Sequence, residues 1–260
     1  VAPAKLTVSL AVTGVRPDGY HELRAEMVAL SLTDELTFRD GEAGLSIAAE
    51  PGTRAELLVD DGSNLISRAL MAARKQAAVS VVKRIPLGGG LGGGSSDAAA
   101  VLRWAGCSDV AVAVGLGADV PFSLAGGRAL VEGIGERVTP LPFEARHYLL
   151  VLPPFGVDTR KVFAAWDDLE RGGAQPGARN ELTEAALVVE PRLAGWRDAL
   201  AEYSGTYPTL AGSGSTWFVE VDPPTAGPED LKWLSLGGTQ GQLVRAHTVP
   251  PGWNGRSAVR

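Results

Sequence analysis

The residues from Pro86 to Asp97 read P-L-G-G-G-L-G-G-G-S-S-D, a stretch holding six glycines and two serines. Glycine reaches positive φ without a Cβ penalty, so consecutive residues here can turn their N–H groups inward around an anion. The apolar stretch Val79 to Val82 predicts a strand entering the loop. Ser95, Ser96 and Asp97 open an alanine-rich helix running on through Ala98, Ala99, Ala100, Val101 and Leu102. Strand, glycine loop and helix N-terminus in that order suit a nucleotide triphosphate, because the first helical N–H groups lack partners and the helix dipole adds partial positive charge. Three further places carry residues of a chemical kind: Lys5 on an alternating strand, Asp119 ahead of Val120-Pro121, and a second glycine-serine turn from Leu210 to Thr216.

Each of these also has a plain reading. A Gly/Ser tract can be a flexible linker, although Leu91 and the helical continuation oppose it. Gly88, Gly90 and Gly93 satisfy G-x-G-x-x-G, but a dinucleotide fold needs an acidic residue closing a second strand roughly 20 residues on. Asp109 has that spacing yet precedes the apolar run Val110 to Val114 instead of ending it. No Gly-Lys-Ser/Thr follows the loop, which excludes a Walker A motif. Lys5 reads equally as a solvated lysine at a strand start, and Asp119 and Asn64 as helix N-caps. Phe163 reads as core, Tyr20 and His21 as turn-edge residues, and the second glycine-serine turn as a tight αβ loop.

The elements that must position these residues follow from the pattern. Leu6, Val8, Leu10 and Val12 alternate with Lys5, Thr7, Ser9 and Ala11, and Arg16-Pro-Asp-Gly19 turns that strand into the next. Strands are expected at Val28 to Leu32, Glu35 to Phe38 and Leu45 to Ala48, and a helix begins at Asp61-Gly-Ser-Asn-Leu. Gly126-Gly127-Arg128 and Gly133 to Glu136 read as hairpin turns around the strands Ala129 to Val131 and Arg137 to Leu141. Beyond a boundary near Ala145 come a strand at Tyr148 to Leu152 and a helix carrying Val162, Phe163 and Trp166 on one side. Helices follow toward Leu187 and over Pro191 to Glu202, then the strand Trp217 to Val221. A helix over Glu229 to Leu236, a last strand from Gln242 to His247 and a mobile tail after Pro250 complete the reading.

At 260 residues the chain is long enough for two domains, and 45% apolar with 21% charged residues is a globular composition. No apolar run reaches the length of a membrane span, and the start lacks the pattern of a signal peptide, so a cytoplasmic protein is expected. The single cysteine, Cys107, excludes an internal disulfide and a cysteine-clustered zinc site. A net charge of −6 argues against a general nucleic-acid binder, so a phosphate site must work through local N–H groups and a few cations.

The longer wording I-P-L-G-G-G-L-G-G-G-S-S-D-A-A-A resembles the GHMP kinases, and among them the kinases of 4-diphosphocytidyl-2-C-methyl-D-erythritol. A-P-A-K-L-T-V-S-L at the start and L-G-A-D-V-P-F around Asp119 resemble the same family. The resemblance implies an α+β two-domain fold: a ribosomal protein S5 domain 2-like unit over residues 1–144 and a ferredoxin-like unit over 145–260, with the site between them. It implies Lys5 and Asp119 as catalytic residues, Asp119 being the base. Pro86, Leu87, Gly88, Gly89, Gly90, Leu91, Gly92, Gly93, Gly94, Ser95 and Ser96 would hold ATP, with Asn64 near the adenine and Ser96 or Asp97 helping to place Mg²⁺. Tyr20 and His21 would line a cytidine pocket, with Thr159 and Phe163 on the side opposite the tyrosine. Gly212, Ser213 and Gly214 would close over the phosphates. The partners implied are ATP and the cytidylated alcohol, on a monomer or weak homodimer. Two positions depart from the family pattern: Thr7 stands where asparagine is usual, and Glu181 stands where aspartate is. The helix after the loop also ends early, near Trp104.

Overall fold

The computed structural model describes residues 1–54, 62–169, 178–223 and 232–255. Its first half is built on β1 (Ala2–Val15) and β2 (His21–Asp40), an antiparallel pair joined at Arg16 to Tyr20, where Gly19 takes φ 84°. The two strands expected at 28–32 and 35–38 are thus parts of one strand. Thr33-Asp34 does not break it, because the Asp34 carboxylate is turned sideways to accept the Arg84 and Ile85 N–H groups. Along its length β2 also pairs with β4 (Ala77–Lys83) and β5 (Arg128–Gly133), β3 (Gly44–Ala49) lies parallel to β4, and β6 (Arg137–Pro140) closes the far edge. The helices α1 (Leu65–Ala72), α2 (Gly93–Trp104), α3 (Val110–Leu116) and α4 (Val120–Ala125) cover this sheet through Ile66, Ala69, Val79, Val81, Ala98, Val101 and Leu116. Helix α2 starts two residues earlier than expected, since Gly92 at φ 67° already makes the turn into it. Gly126 and Gly127 join α4 to β5 and are not a hairpin turn.

The second sheet runs β10-β11-β7-β9-β8 and is antiparallel throughout, with β7 (His147–Leu152), β8 (Thr209–Leu210), β9 (Trp217–Val221), β10 (Lys232–Leu236) and β11 (Thr239–His247). Residues 232–236, expected in a helix, form β10; 229–231 lie outside the described residues. The glycine-serine turn after Leu210 therefore joins two strands and is not an αβ loop. On one face of β7, Leu149 and Val151 meet α5 (Thr159–Asp168), α6 (Thr183–Val189) and α7 (Leu193–Ser204) in a core with Trp166, Leu182, Trp196 and Leu200. On the other face, Tyr148, Leu150 and Leu152 pack on Ala4, Leu6, Val28 and Leu30 of the first sheet. A strand buried on both faces reads as a continuous apolar run, as Tyr-Leu-Leu-Val-Leu does. Residues 250–255 fold back as well: Val249 N–H donates to Ala29 O at 2.9 Å, and Pro251 rests against Gly127. Among the described residues no helix is long and apolar enough to cross a membrane.

Strand β1 also reaches across to the second half. Leu10 N–H donates to Arg179 O at 2.8 Å, Glu181 N–H returns to Leu10 O at 3.0 Å, and Val12 N–H donates to the Glu181 carboxylate at 2.8 Å. Between them Asn180, 3% exposed, donates through Nδ2 to Leu210 O (2.8 Å) and Gly212 O (2.7 Å), while its Oδ1 accepts Leu182 N–H (2.9 Å). One side chain so fixes the start of a helix and the entry of a glycine turn. Asn180→Ala is expected to lower the unfolding free energy by about 2–5 kcal/mol, each buried group left unpaired costing about 1–3 kcal/mol. The check is a lowered urea midpoint at unchanged m value.

Candidate active site

The loop between β4 and α2 has its carbonyls facing the protein. Gly88 O accepts Val157 N–H (3.4 Å), Gly89 O accepts Thr216 N–H (3.2 Å), Leu91 O accepts Lys5 N–H (3.0 Å) and Gly92 O accepts Ser96 N–H (2.9 Å). Among the described residues, no acceptor takes the N–H of Gly88, Gly89, Gly90, Leu91 or Gly92. A peptide chain whose C=O groups are all turned one way presents its N–H groups the other way, and those of the first turn of α2 are open for the usual helical reason. Leu91, 1% exposed, drops into the core shared by the two sheets and holds the loop down.

The second turn lies directly on the first. A Cβ on Gly90, which sits at φ 77°, would overlap the Ala211 carbonyl oxygen and come within 2.8 Å of Gly214 O. Thr159 Oγ1 and Ser213 Oγ are 2.8 Å apart, so the N-terminus of α5 is tied to the same turn. Lys5 is enclosed where the two turns meet: a Cβ on Gly92 would be 2.8 Å from its Cγ, and one on Gly212 3.6 Å from its Nζ. Its ammonium donates to Thr7 Oγ1 at 3.0 Å and stands 3.5 Å from Asp119 Oδ2. The side chains are 7% and 32% exposed, so Lys5 is no solvated strand-end lysine and Asp119 faces open space. Thr7, at the position departing from the family pattern, is the lysine's hydrogen-bond acceptor. Asp119 occupies the position before α4 but makes no capping hydrogen bond. A cap bonds the N–H of the second or third helical residue, and the second here is Pro121, which has none.

Asn64 does cap α1, accepting Ile66 N–H at 2.9 Å, and it also lines a cavity of about 230 Å³ with Leu65, Val81, Lys83, Leu87, Gly94 and Asp97. Of the residues expected around a base, His21 and Phe163 are together, their rings stacked at 4.6 Å, with Trp166 edge-on to His21 at 5.5 Å. His21 Nε2 lies 2.8 Å from Asp167 Oδ1. Tyr20 is 61% exposed and stacks on neither.

Ser96 and Asp97 do not fit a magnesium ion. Ser96, 1% exposed, donates its hydroxyl to Pro3 O, and Asp97 Oδ2 accepts from Lys83 Nζ at 2.5 Å. Ser96 is also withdrawn as a phosphate donor, its N–H being bonded to Gly92 O. Lys83 donates equally to Asp34, and all three side chains are buried. Burial opposes the Lys83 charge, but Asp97 and Asp34 outweigh it and raise its pKa. Burial, against the pull of Lys83, pushes Asp97 up to about 7. Asp34 and Lys83 were missed in the sequence, although Lys83 had a signal: it shares the in-facing period of Ala77, Val79 and Val81.

A carboxyl that binds its proton more tightly in the folded state adds stability that is full below about pH 4 and lost as pH rises toward about 7. Asp97→Asn is expected to flatten the pH dependence of the urea midpoint across that window. An unchanged slope would place the effect elsewhere.

Residues 64–127 match the family model described as the GHMP kinases N terminal domain. A 4-diphosphocytidyl-2-C-methyl-D-erythritol kinase of Aromatoleum aromaticum is 38% identical over 239 residues, covering 85% of this chain and 83% of its own. One from an Anaeromyxobacter species is 37% identical, over 84% and 80% of the two chains. A crystal structure of 4-(cytidine 5'-diphospho)-2C-methyl-D-erythritol kinase superposes with a TM-score of 0.65 at 34% identity, covering 84% of this chain and 87% of that one. Likeness of this extent, in sequence and in fold, makes this chain a member of the 4-diphosphocytidyl-2-C-methyl-D-erythritol kinases, phosphotransferases of the GHMP group.

Proposed function

We propose that the protein transfers the γ-phosphoryl group of ATP to the 2-hydroxyl of 4-diphosphocytidyl-2-C-methyl-D-erythritol, a step of non-mevalonate isoprenoid precursor synthesis. The observation that carries the reading is the Lys5–Asp119 pair, 3.5 Å apart, beside a loop whose N–H groups are unclaimed. Phosphoryl transfer needs in-line placement of donor and acceptor, charge stabilisation on the phosphates and a base at the attacking hydroxyl. The amides from Gly88 to Gly94 and Ser95 receive the phosphate oxygens, and Asn64, Leu65 and the cavity beside them receive the adenine. Asp119 takes the proton of the 2-hydroxyl as its oxygen bonds to phosphorus and ADP leaves. Lys5, steadied by Thr7, stabilises the charge developing on the oxygens between them. Gly212, Ser213 and Gly214 complete the wall opposite the first loop. Residues 1–144 form the nucleotide domain in this reading and 145–260 the domain that brings the alcohol. No step runs through a magnesium ion, since Ser96 and Asp97 are already engaged.

The cytidine end is assigned to His21, Phe163 and Thr159, with Tyr20 free to close over the base. The stacked His21–Phe163 pair supports this by giving an aromatic wall at the mouth between β2 and α5. A coupled assay of ADP release tests the whole reading: turnover with the cytidylated alcohol and none with homoserine or mevalonate is expected. The reverse preference would overturn the substrate.

Asp119→Asn is expected to lower kcat by about 10²- to 10⁴-fold with both substrates still bound, because the amide keeps the shape but accepts no proton. Lys5→Met should lower kcat too, and the double variant should be little worse than the worse single one, as groups acting on one hydroxyl do not add. Steady-state kinetics on the four enzymes decides it. Phe163→Ala should weaken the cytidylated substrate by about 1–3 kcal/mol and leave ATP binding unchanged, measured by titration calorimetry with each ligand. Unfolding of that variant would return Phe163 to a purely core role.

A further inference from the structure

The buried cluster of Asp34, Lys83 and Asp97 lies beneath the glycine loop, and its connections are to the loop's two ends. Lys83 is the last residue of β4, and the Asp34 carboxylate that it grips also accepts Arg84 N–H at 2.5 Å and Ile85 N–H at 2.9 Å, the two residues leading into Pro86. Asp97 sits in α2, on the far side of the loop, and accepts from the same ammonium. Gly93, the first residue of α2, comes close to the same place, since a Cβ there would lie 3.0 Å from Ile85 Cγ2 and 3.5 Å from Asp34 Oδ2. Entry and exit of the loop are thus fastened to one cation. The side chains are 4%, 0% and 5% exposed for Lys83, Asp34 and Asp97, so water does not share the charge.

We propose that Lys83 is a positioning residue that sets the span of the phosphate loop by holding Asp34, at its entry, to Asp97, at its exit. With two carboxylates and one ammonium, removing the cation leaves like charges facing each other in a dry site, and the ends that they carry separate. Leu91 in the core and the bonds from Lys5, Val157 and Thr216 hold the middle of the loop, whereas the cluster is what links its entry to its exit. Lys83 and Asp97 also line the cavity beside Asn64, but Lys83 touches none of the reacting atoms in this arrangement; its proposed action is through the spacing of the amides. The consequence for ATP rests on the function proposed above, whereas the spacing itself does not.

The test uses Lys83→Met/Asp97→Asn, which removes one positive and one negative charge, so that no new uncompensated carboxylate is buried. Hydrogen–deuterium exchange of the ligand-free protein is expected to speed up roughly tenfold or more for the amides from 86 to 95, with protection in β7 and β9 unchanged. ATP affinity by calorimetry should fall by roughly tenfold or more, and affinity for the cytidylated alcohol should hold within about twofold. If ATP affinity falls while loop exchange stays the same, Lys83 contacts the nucleotide directly and the positioning role is wrong. Faster loop exchange with full ATP affinity also overturns it. Should the double variant not fold, Asp97→Asn alone, which leaves Lys83 a neutral acceptor, is expected to raise loop exchange in the same direction, and no change would overturn the proposal. Failure of the unaltered protein to bind ATP would strike the proposed function instead, leaving the exchange result to stand.

Discussion

The structure depends on two glycine turns meeting backbone to backbone. Gly90 faces the carbonyls of Ala211 and Gly214 with no space for a Cβ, and this approach lets Thr216 donate to Gly89 O. Each peptide unit carries one donor and one acceptor pointing opposite ways, so fixing one direction sets the other. Bonds from Lys5, Val157 and Thr216 hold the carbonyls of the first turn inward, and its N–H groups face out as a result. The outward N–H face of the N-terminal half, proposed to bind phosphate, is therefore partly made by the C-terminal half. Asn180 and the cross-link through Leu10 matter for the same reason, since they keep the second turn at the height at which it can do this.

Within a chain of net charge −6, the proposed phosphate site would meet negative ligands mainly with backbone amides, the Arg54 guanidinium lying close by at Gly88 and Gly156. Lys83 is committed to two carboxylates, and Lys5 shares its charge between Thr7 and Asp119. What faces outward is a set of amide dipoles fixed in advance, which need no reorganisation when charge moves during transfer. The acidic surface and the anion site do not conflict, because short-range dipoles act over a few ångströms and the net charge is screened beyond about 8–10 Å at ordinary ionic strength.

Local chemistry was legible in the sequence, and contacts between distant segments were not. The glycine density at 88–94 and the alternation along 1–12 are local properties and could be read directly. The continuity of β2 through Thr33-Asp34 depends on Arg84 and Ile85, some fifty residues away, so a polar pair inside a strand looked like its end. Residues 232–236 mix Lys, Trp, Leu and Ser in a way that suits either helix or edge strand, and pairing with β11 decided it. At the site, Lys5 and Asp119 could be named by resemblance, yet that they stand together is a fact of tertiary structure. Pro121 at the second helical position removes only one of the two N–H groups that a cap at Asp119 could bond. Ser96 and Asp97 look like free polar groups in a string of letters, while Pro3 and Lys83 engage them in space, which the magnesium assignment did not foresee.

The bare start of α4 also bears on how this protein can change over time. Asp119 stands where a capping side chain would add about 0.5–2 kcal/mol to the helix, and it leaves that bond unmade. Serine or threonine there could reach the Phe122 N–H only if the backbone left its present φ −87°, ψ −9° for the extended conformation of a cap, and either would lose the carboxylate that looks toward Lys5. On the proposed function, heat resistance and turnover would then pull one codon in opposite directions. A laboratory lineage rewarded only for surviving high temperature could take that step and, on the same reading, lose its chemistry, whereas one rewarded for product must find its added stability in other parts of the fold.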